Sequence, residues 1–288
     1  MLHRRGRYDR LADIRRRDPI ADYHAIYQAT ALYEFPFDSR MGLLLAFWRT
    51  FAVPSIAEVL AGTGEIIHRT ERRADDTGIL MYTLVKQGLD HPDGRTATRR
   101  LNQIHRRFTI SNDDYRYVLG TFLFEPARWI DQHGWRPLCC HERTAMLTFY
   151  TTLGRRMNIT DIPPTWNEYE SFYDAFEAKH FAYTPAAAQL MAATEGLLGP
   201  LPRPLAPMAG GIIRALLDPP LREATELAAP PGWARLLLTT GLGGRAAWLR
   251  HGAPPRSRGW LAEGIVGKTY PHGYDLSALG PGNGTTVS

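Results

Sequence analysis

The run Thr96-Ala-Thr-Arg-Arg-Leu-Asn-Gln-Ile-His-Arg-Arg-Phe108 decides how this chain is read. It holds no glycine or proline and consists largely of good helix formers, so it is expected to be helical. Leu101, Ile104 and Phe108 recur at helical spacing and share one face, and His105 lies one turn after Leu101 on that same face. Arg99, Asn102 and Arg106 fall toward the sides. An imidazole aimed into an apolar interior either finds a hydrogen-bond partner or binds a metal ion or haem iron. The pattern alone leaves both outcomes open, and the hydrogen-bonded core histidine is the commoner one.

Working outward, residues 65–88 read as one helix capped by Gly88, and residues 41–51 as a strongly apolar helix followed, after Pro54, by a short one. Residues 1–40 read as an N-terminal arm with a helix over 20–32, ended by a turn at Pro36. Toward the C-terminus, Ser111 or Asn112 is placed to cap a helix over 115–130 that contains Pro126. Helices over 142–157, 166–181 (after Thr165) and 185–198 follow. Residues 199–207 carry Pro200, Pro202, Pro204 and Pro207 and read as a stiff linker. Short helices are expected at 211–217, 221–227, 233–238 and 246–251, and residues 282–288 as a disordered tail. Few stretches alternate as strands do. The expected fold is all-α: a helical core over 41–198, with the linker and C-terminal helices of 199–281 packing on it.

At 288 residues, 44% hydrophobic and 22% charged, the chain has the composition of a globular protein able to bury a large core. Cys139 and Cys140 are adjacent, which disfavours a disulfide, and no zinc spacing occurs. The first twenty residues are arginine-rich, but Asp9, Asp13 and Asp18 interrupt them and no apolar run follows, so no signal peptide is read there. The apolar run from Met41 to Leu60 carries Arg49, Pro54 and Glu58 and reads as buried helix and turn rather than a membrane span. The net charge of +5 is weighted toward Arg4, Arg5, Arg7, Arg10, Arg15, Arg16 and Arg17. A solvated face explains that run; contact with anionic lipid is the sharper alternative. No nucleic-acid motif accompanies it, so nucleic acid is not an expected partner.

Two Glu-x-x-His pairs, Glu65/His68 and Glu177/His180, have the spacing used by di-iron carboxylate bundles, although chance alone supplies such pairs readily. Arg73, Asp76 and Thr77 stand at i, i+3 and i+4 on one helical face. They form either a surface ion pair or a polar patch on a pocket wall. There is no GxSxG, HExxH, P-loop or GxGxxG, and the Gly241-Leu-Gly-Gly244 cluster follows no strand.

Taken in order, several segments resemble the MpaB-type oxygenases, a family related to the latex clearing proteins that cleave rubber. They are Arg73-x-x-Asp76-Thr77, Arg99-Arg-Leu-Asn-Gln-Ile-His105, Ile110 to Leu119, Phe122 to Trp129, Glu142-Arg-x-Ala145, Gly154 to Ile159, Asp161-Ile-Pro163, Tyr270-Pro-His-Gly-Tyr274 and Leu279-Gly-Pro281. The resemblance implies a distantly globin-like helical core around a b-type haem, with His105 as the proximal iron ligand. It implies a distal wall built on Arg73, Asp76 and Thr77, with Arg73 pairing Asp76 or a haem propionate. In latex clearing proteins the position of Asp76 is a lysine, so the distal chemistry is expected to differ. An upstream glutamate serves them as base, and Glu58 is the nearest here. Fungal relatives carry an N-terminal membrane span that is not read in this chain, which points to a cytoplasmic protein, or one peripheral to a membrane.

The resulting expectation is a haem b (iron) oxygenase that uses O₂ to cleave a carbon–carbon double bond in an apolar, isoprenoid-like substrate. His105 and Arg73 hold the cofactor, and Arg73, Asp76 and Thr77 face the chemistry. The alternatives are a di-iron carboxylate protein and a helical lipid-binding or interaction protein without redox chemistry.

Overall fold

The computed structural model describes residues 6–198, 208–259 and 269–281. The helices run α1 Asp9–Arg16, α2 Tyr23–Ala29, α3 Pro36–Arg49, α4 Pro54–Gly62, α5 Glu65–His68, α6 Thr70–Gln87 and α7 Pro92–His105. Then come α8 Asn112–His133, α9 Cys140–Arg156, α10 Trp166–His180, α11 Pro185–Thr194, α12 Ala209–Leu216, α13 Pro219–Ala224 and α14 Gly232–His251. Among the described residues there is no strand, and the fold is all-α as expected. The proline-rich linker over 199–207 and the tail over 282–288 lie outside the described residues.

Caps explain most boundaries. Ser111 accepts the Asp114 amide to start α8, and Thr165 with Glu168 forms a capping box at α10. α7 begins earlier than its apolar spacing suggests, because Pro92 occupies the first turn and the His91 side chain accepts the Asp93 amide. α7 also ends at His105, so Phe108 sits in the following turn.

Further expectations about local structure change. The single helix over 65–88 breaks at Arg69 (φ −138°), where Thr70 Oγ1 bonds the Ile66 carbonyl at 2.5 Å. The two helices placed at 233–238 and 246–251 are one, because α14 continues through Gly241, Gly243 and Gly244. The helix read over 20–32 passes instead into a π turn, Thr30–Glu34, with the Phe35 amide on the Thr30 carbonyl at 2.9 Å.

α8 is the spine. It packs against α3, α9, α10 and α14. Gly42 of α3 is required at the first crossing, since a Cβ there would lie 2.2 Å from the Pro126 Cα. The principal core joins Leu84, Leu123, Phe124, Ile130, Phe149 and Tyr150 to Tyr27, Leu32 and Phe35 from the N-terminal segment. The Tyr27 and Tyr150 hydroxyls meet at 2.7 Å. A second cluster gathers Trp48, Phe51, Ile66, Trp129, Leu190 and Met191 with Ile213 and Leu221 of α12 and α13.

Two buried ionic networks fix the packing. Arg49 of α3 reaches Glu177 (2.7 Å), Glu125 (3.5 Å) and Asp218 (2.7 Å), while the Tyr117 hydroxyl donates to Glu177 at 2.9 Å. Arg136 bridges Glu142 (2.7 Å) and Glu34 (3.3 Å), and Glu34 also accepts from Arg10 at 2.8 Å. The arginine run near the N-terminus is therefore not one solvated face. Arg10 is buried in this network and Arg7 lies over the Trp135 ring at 3.9 Å, whereas Arg15, Arg16 and Arg17 are exposed.

Candidate functional site: an apolar cavity with a histidine on its wall

α4, α6, α7 and α8 enclose a cavity of about 220 Å³ whose walls are mainly apolar. α6 supplies Arg73, Asp76, Thr77, Leu80 and Met81; α7 supplies Leu101, Ile104 and His105; α8 supplies Tyr115, Val118, Leu119 and Phe122. Phe108, Met157, Ile159, Gly280 and Pro281 are also among its lining. The four site residues read from the sequence, Arg73, Asp76, Thr77 and His105, thus share one wall-lined space. The aromatic stripe of α8 and α10 divides: Phe122 and Tyr115 face the cavity, whereas Tyr117, Phe124, Tyr169 and Tyr173 are core.

His105 closes α7. A helix C-terminus favours a protonated imidazole, but burial wins, and with help from the nearby Arg73 charge it pushes the ring down to about 4. The backbone of Leu101, one turn back, opposes the drop. The ring is therefore neutral at physiological pH. Its Nδ1 atom is buried and makes no hydrogen bond of regular geometry. Tyr115 meets the ring edge-on, with centroids 5.6 Å apart.

Arg73 donates to the Thr77 hydroxyl one turn on, and Thr77 Oγ1 bonds the Arg73 carbonyl at 3.1 Å. Burial lowers the guanidinium's pKa, while the Asp76 and Glu65 carboxylates raise it. Asp76, 3% exposed, is committed elsewhere. Its Oδ1 accepts the Tyr270 hydroxyl, and its Oδ2 accepts the Gly280 amide at 3.0 Å. Asp76 thus supports the Arg73 charge through space, as expected, while both its oxygens hold the C-terminal segment.

That segment, residues 269–281, is tied to α6 and α7 as a strap and brings Gly280 and Pro281 to the cavity wall. Arg100 Nε donates to the Leu279 carbonyl at 2.5 Å, Arg107 Nη1 to the Pro281 carbonyl at 3.2 Å, and Thr269 to Asp75. Gly280 takes φ +94° with Ile104 where a Cβ would stand, at 2.6 Å. Burial, together with the bond to Asp76, pushes the Tyr270 hydroxyl up to about 12.

Sequence reasoning missed the strap's role and the cavity carboxylate. Glu65 lines the cavity, is buried and pairs with Arg69, whereas Glu58 is exposed on α4. The di-iron alternative loses its geometry: Glu177 is held by Arg49 and Tyr117, His180 stacks on Phe176 at 4.3 Å, and Glu65 is paired with Arg69. Among the described residues no three His, Cys, Asp or Glu side chains converge as metal ligands.

The family described as "ER-bound oxygenase mpaB/B'/Rubber oxygenase, catalytic domain" matches this chain over residues 37–250, from the start of α3 to the end of α14. The chain belongs to that family. It is 28% identical over 263 residues to the ER-bound oxygenase mpaB' of Penicillium brevicompactum, covering 84% of this chain and 62% of that protein. It is 27% identical over 220 residues to the ER-bound oxygenase mpaB of Penicillium roqueforti (strain FM164), covering 69% and 73%. The chain therefore spans somewhat less than two thirds of the length of mpaB'. Among solved structures, latex clearing protein in its closed state shares the fold, with a TM-score of 0.52 at 18% identity over 87% of this chain and 69% of the other. The MpaB fold thus carries the cavity, and the strap over 269–281 lies beyond the matched span.

Proposed function

We propose that this MpaB-family chain is a haem b-dependent oxygenase that cleaves a carbon–carbon double bond of an apolar, isoprenoid-like substrate with O₂. The observation that carries the reading is His105: a neutral imidazole on the wall of an apolar cavity, within electrostatic reach of the half-buried Arg73. Haem fits these residues. A neutral imidazole is the donor its iron takes, and the Leu, Ile and Phe side chains suit its apolar faces. His105 would hold the iron through Nε2, leaving Nδ1 to the Leu101 side of α7. Arg73 would counter a propionate or developing negative charge, and its bond to Thr77 keeps the guanidinium oriented.

When bound, haem supplies the redox centre at which O₂ is activated, and the balanced outcome is one alkene and one O₂ giving two carbonyl fragments. Val118, Phe122, Phe108 and Ile104 exclude water and present an apolar wall to the substrate. Asp76 moves no proton in this reading; it keeps the strap at the cavity wall.

The visible spectrum of purified protein loaded with haem is the first test, and a Soret band that saturates at one haem per chain is expected. Incubation of the reduced protein with isoprenoid alkenes under ¹⁸O₂ should then give labelled aldehydes or ketones. Haem bound without labelled product would leave the cofactor site standing and remove the cleavage assignment. No haem uptake would favour a cavity that only binds apolar ligands.

A further inference from the structure

α14 is amphipathic the wrong way round for a helix on a protein surface. Trp233, Leu236, Leu237, Thr240, Gly241, Gly244, Ala247 and Trp248 follow each other at three- and four-residue steps, so they form one stripe along its whole length. That stripe faces out: Trp233 is 42% exposed, Leu236 66%, Leu237 41% and Trp248 62%. The inward face carries the charges instead. Arg245 forks onto Asp38 with two bonds of 2.9 Å, and Arg250 Nε donates to the Trp135 carbonyl at 2.8 Å. Leu242 and Leu249 on the same side pack onto the two cores. The polar contacts thus fix the helix in a rotation that leaves its apolar stripe to the surroundings.

The charge around the stripe is one-sided. From Leu227 to Gly259 there is no acidic residue, while Arg235, Arg245, Arg250, Arg256 and Arg258 are present. Arg235, Arg256 and Arg258 are exposed. Tryptophan stands near each end of the stripe, the position an amphipathic indole takes at a lipid headgroup boundary. No single helix among the described residues is long and apolar enough to cross a membrane. The arrangement suits a helix that lies on an anionic bilayer.

We infer that α14 docks this protein on membranes containing anionic phospholipid, inserting Leu236, Leu237 and Trp248 between headgroups while Arg256 and Arg258 contact phosphate and serine groups. The inference is independent of the haem reading, and its test needs no activity. It also assigns surface attachment to a different element from the N-terminal arginine run.

The test is flotation of the full chain with phosphatidylcholine vesicles, with and without phosphatidylserine. The native protein should float with the mixed vesicles and release at high salt. Leu236→Asp with Trp248→Asp alters only exposed side chains and should weaken partitioning by at least about tenfold, since burying one such side chain favours the lipid side by that factor or more. Arg256→Glu with Arg258→Glu should lower binding to the mixed vesicles and leave binding to phosphatidylcholine unchanged. Circular dichroism confirms that each variant is folded. Equal flotation of native and Leu236→Asp/Trp248→Asp protein would overturn the inference. So would a concentration-dependent dimer abolished by Leu236→Asp, because the stripe would then be an interface between two copies.

Discussion

Replacing Tyr270 by phenylalanine removes one hydroxyl and keeps the ring. The hydroxyl donates to a carboxylate that is 3% exposed and whose other oxygen holds the Gly280 amide at 3.0 Å. A hydrogen bond to a buried charged acceptor contributes about 1.5–3 kcal/mol. The strap keeps its contacts through Arg100 and Arg107 and the burial of Leu279, so it should loosen without detaching. At about 1.4 kcal/mol per factor of ten, the population with the strap open should rise about 10- to 150-fold. Hydrogen exchange read by mass spectrometry reports this directly: amides over 276–280, Gly280 above all, should exchange faster by that factor, with those of α8 unchanged. The effect has a defined pH window. Because the folded hydroxyl is raised from 10.0 to about 12, its contribution is complete below pH 10 and fades as the pH climbs to about 12. The difference between native and Tyr270→Phe protein should vanish over that interval. Strap exchange identical in the two proteins at neutral pH would refute Asp76 as the strap's anchor.

The remaining predictions concern the cofactor and the packing. His105→Ala should abolish stoichiometric haem binding, read as loss of the Soret band after reconstitution; full occupancy with an unchanged spectrum would remove His105 from that role. Glu177→Gln breaks the buried set around Arg49 and should cost about 3–5 kcal/mol in denaturant unfolding. Glu142→Gln should cost a similar amount, about 3–5 kcal/mol, because Arg136, the Cys139 amide and the Thr30 hydroxyl all converge on that carboxylate. Gly42→Ala forces a methyl into the Pro126 backbone and should destabilise by at least about 1–3 kcal/mol, measured by the same unfolding experiment.

How far the sequence could be read depended on how local the deciding interaction was. Ser111 and Thr165 announced the starts of α8 and α10 because a cap is made within three residues. The same local logic failed at Gly241-Leu-Gly-Gly244, where glycine's low helix propensity predicts a break. There the Asp38 bonds to Arg245 and the packing of Leu242 hold the helix together. Arg10 read as one charge in a solvated run, because its partner Glu34 lies on another element. Glu65 was legible only as half of a metal spacing, since its place on the cavity wall depends on how α5 and α6 meet.

From the sequence alone came the helical class, the apolar face that carries His105, and the common face of Arg73, Asp76 and Thr77, all consequences of a 3.6-residue period acting over a turn or two. Only the tertiary structure decided what those side chains meet. Asp76 lies 194 positions from Tyr270, and His105 is neutral because four helices exclude water around it. No local pattern encodes such meetings: a carboxylate's partner and an imidazole's protonation depend on which surfaces the folded chain brings together and how much solvent is left between them.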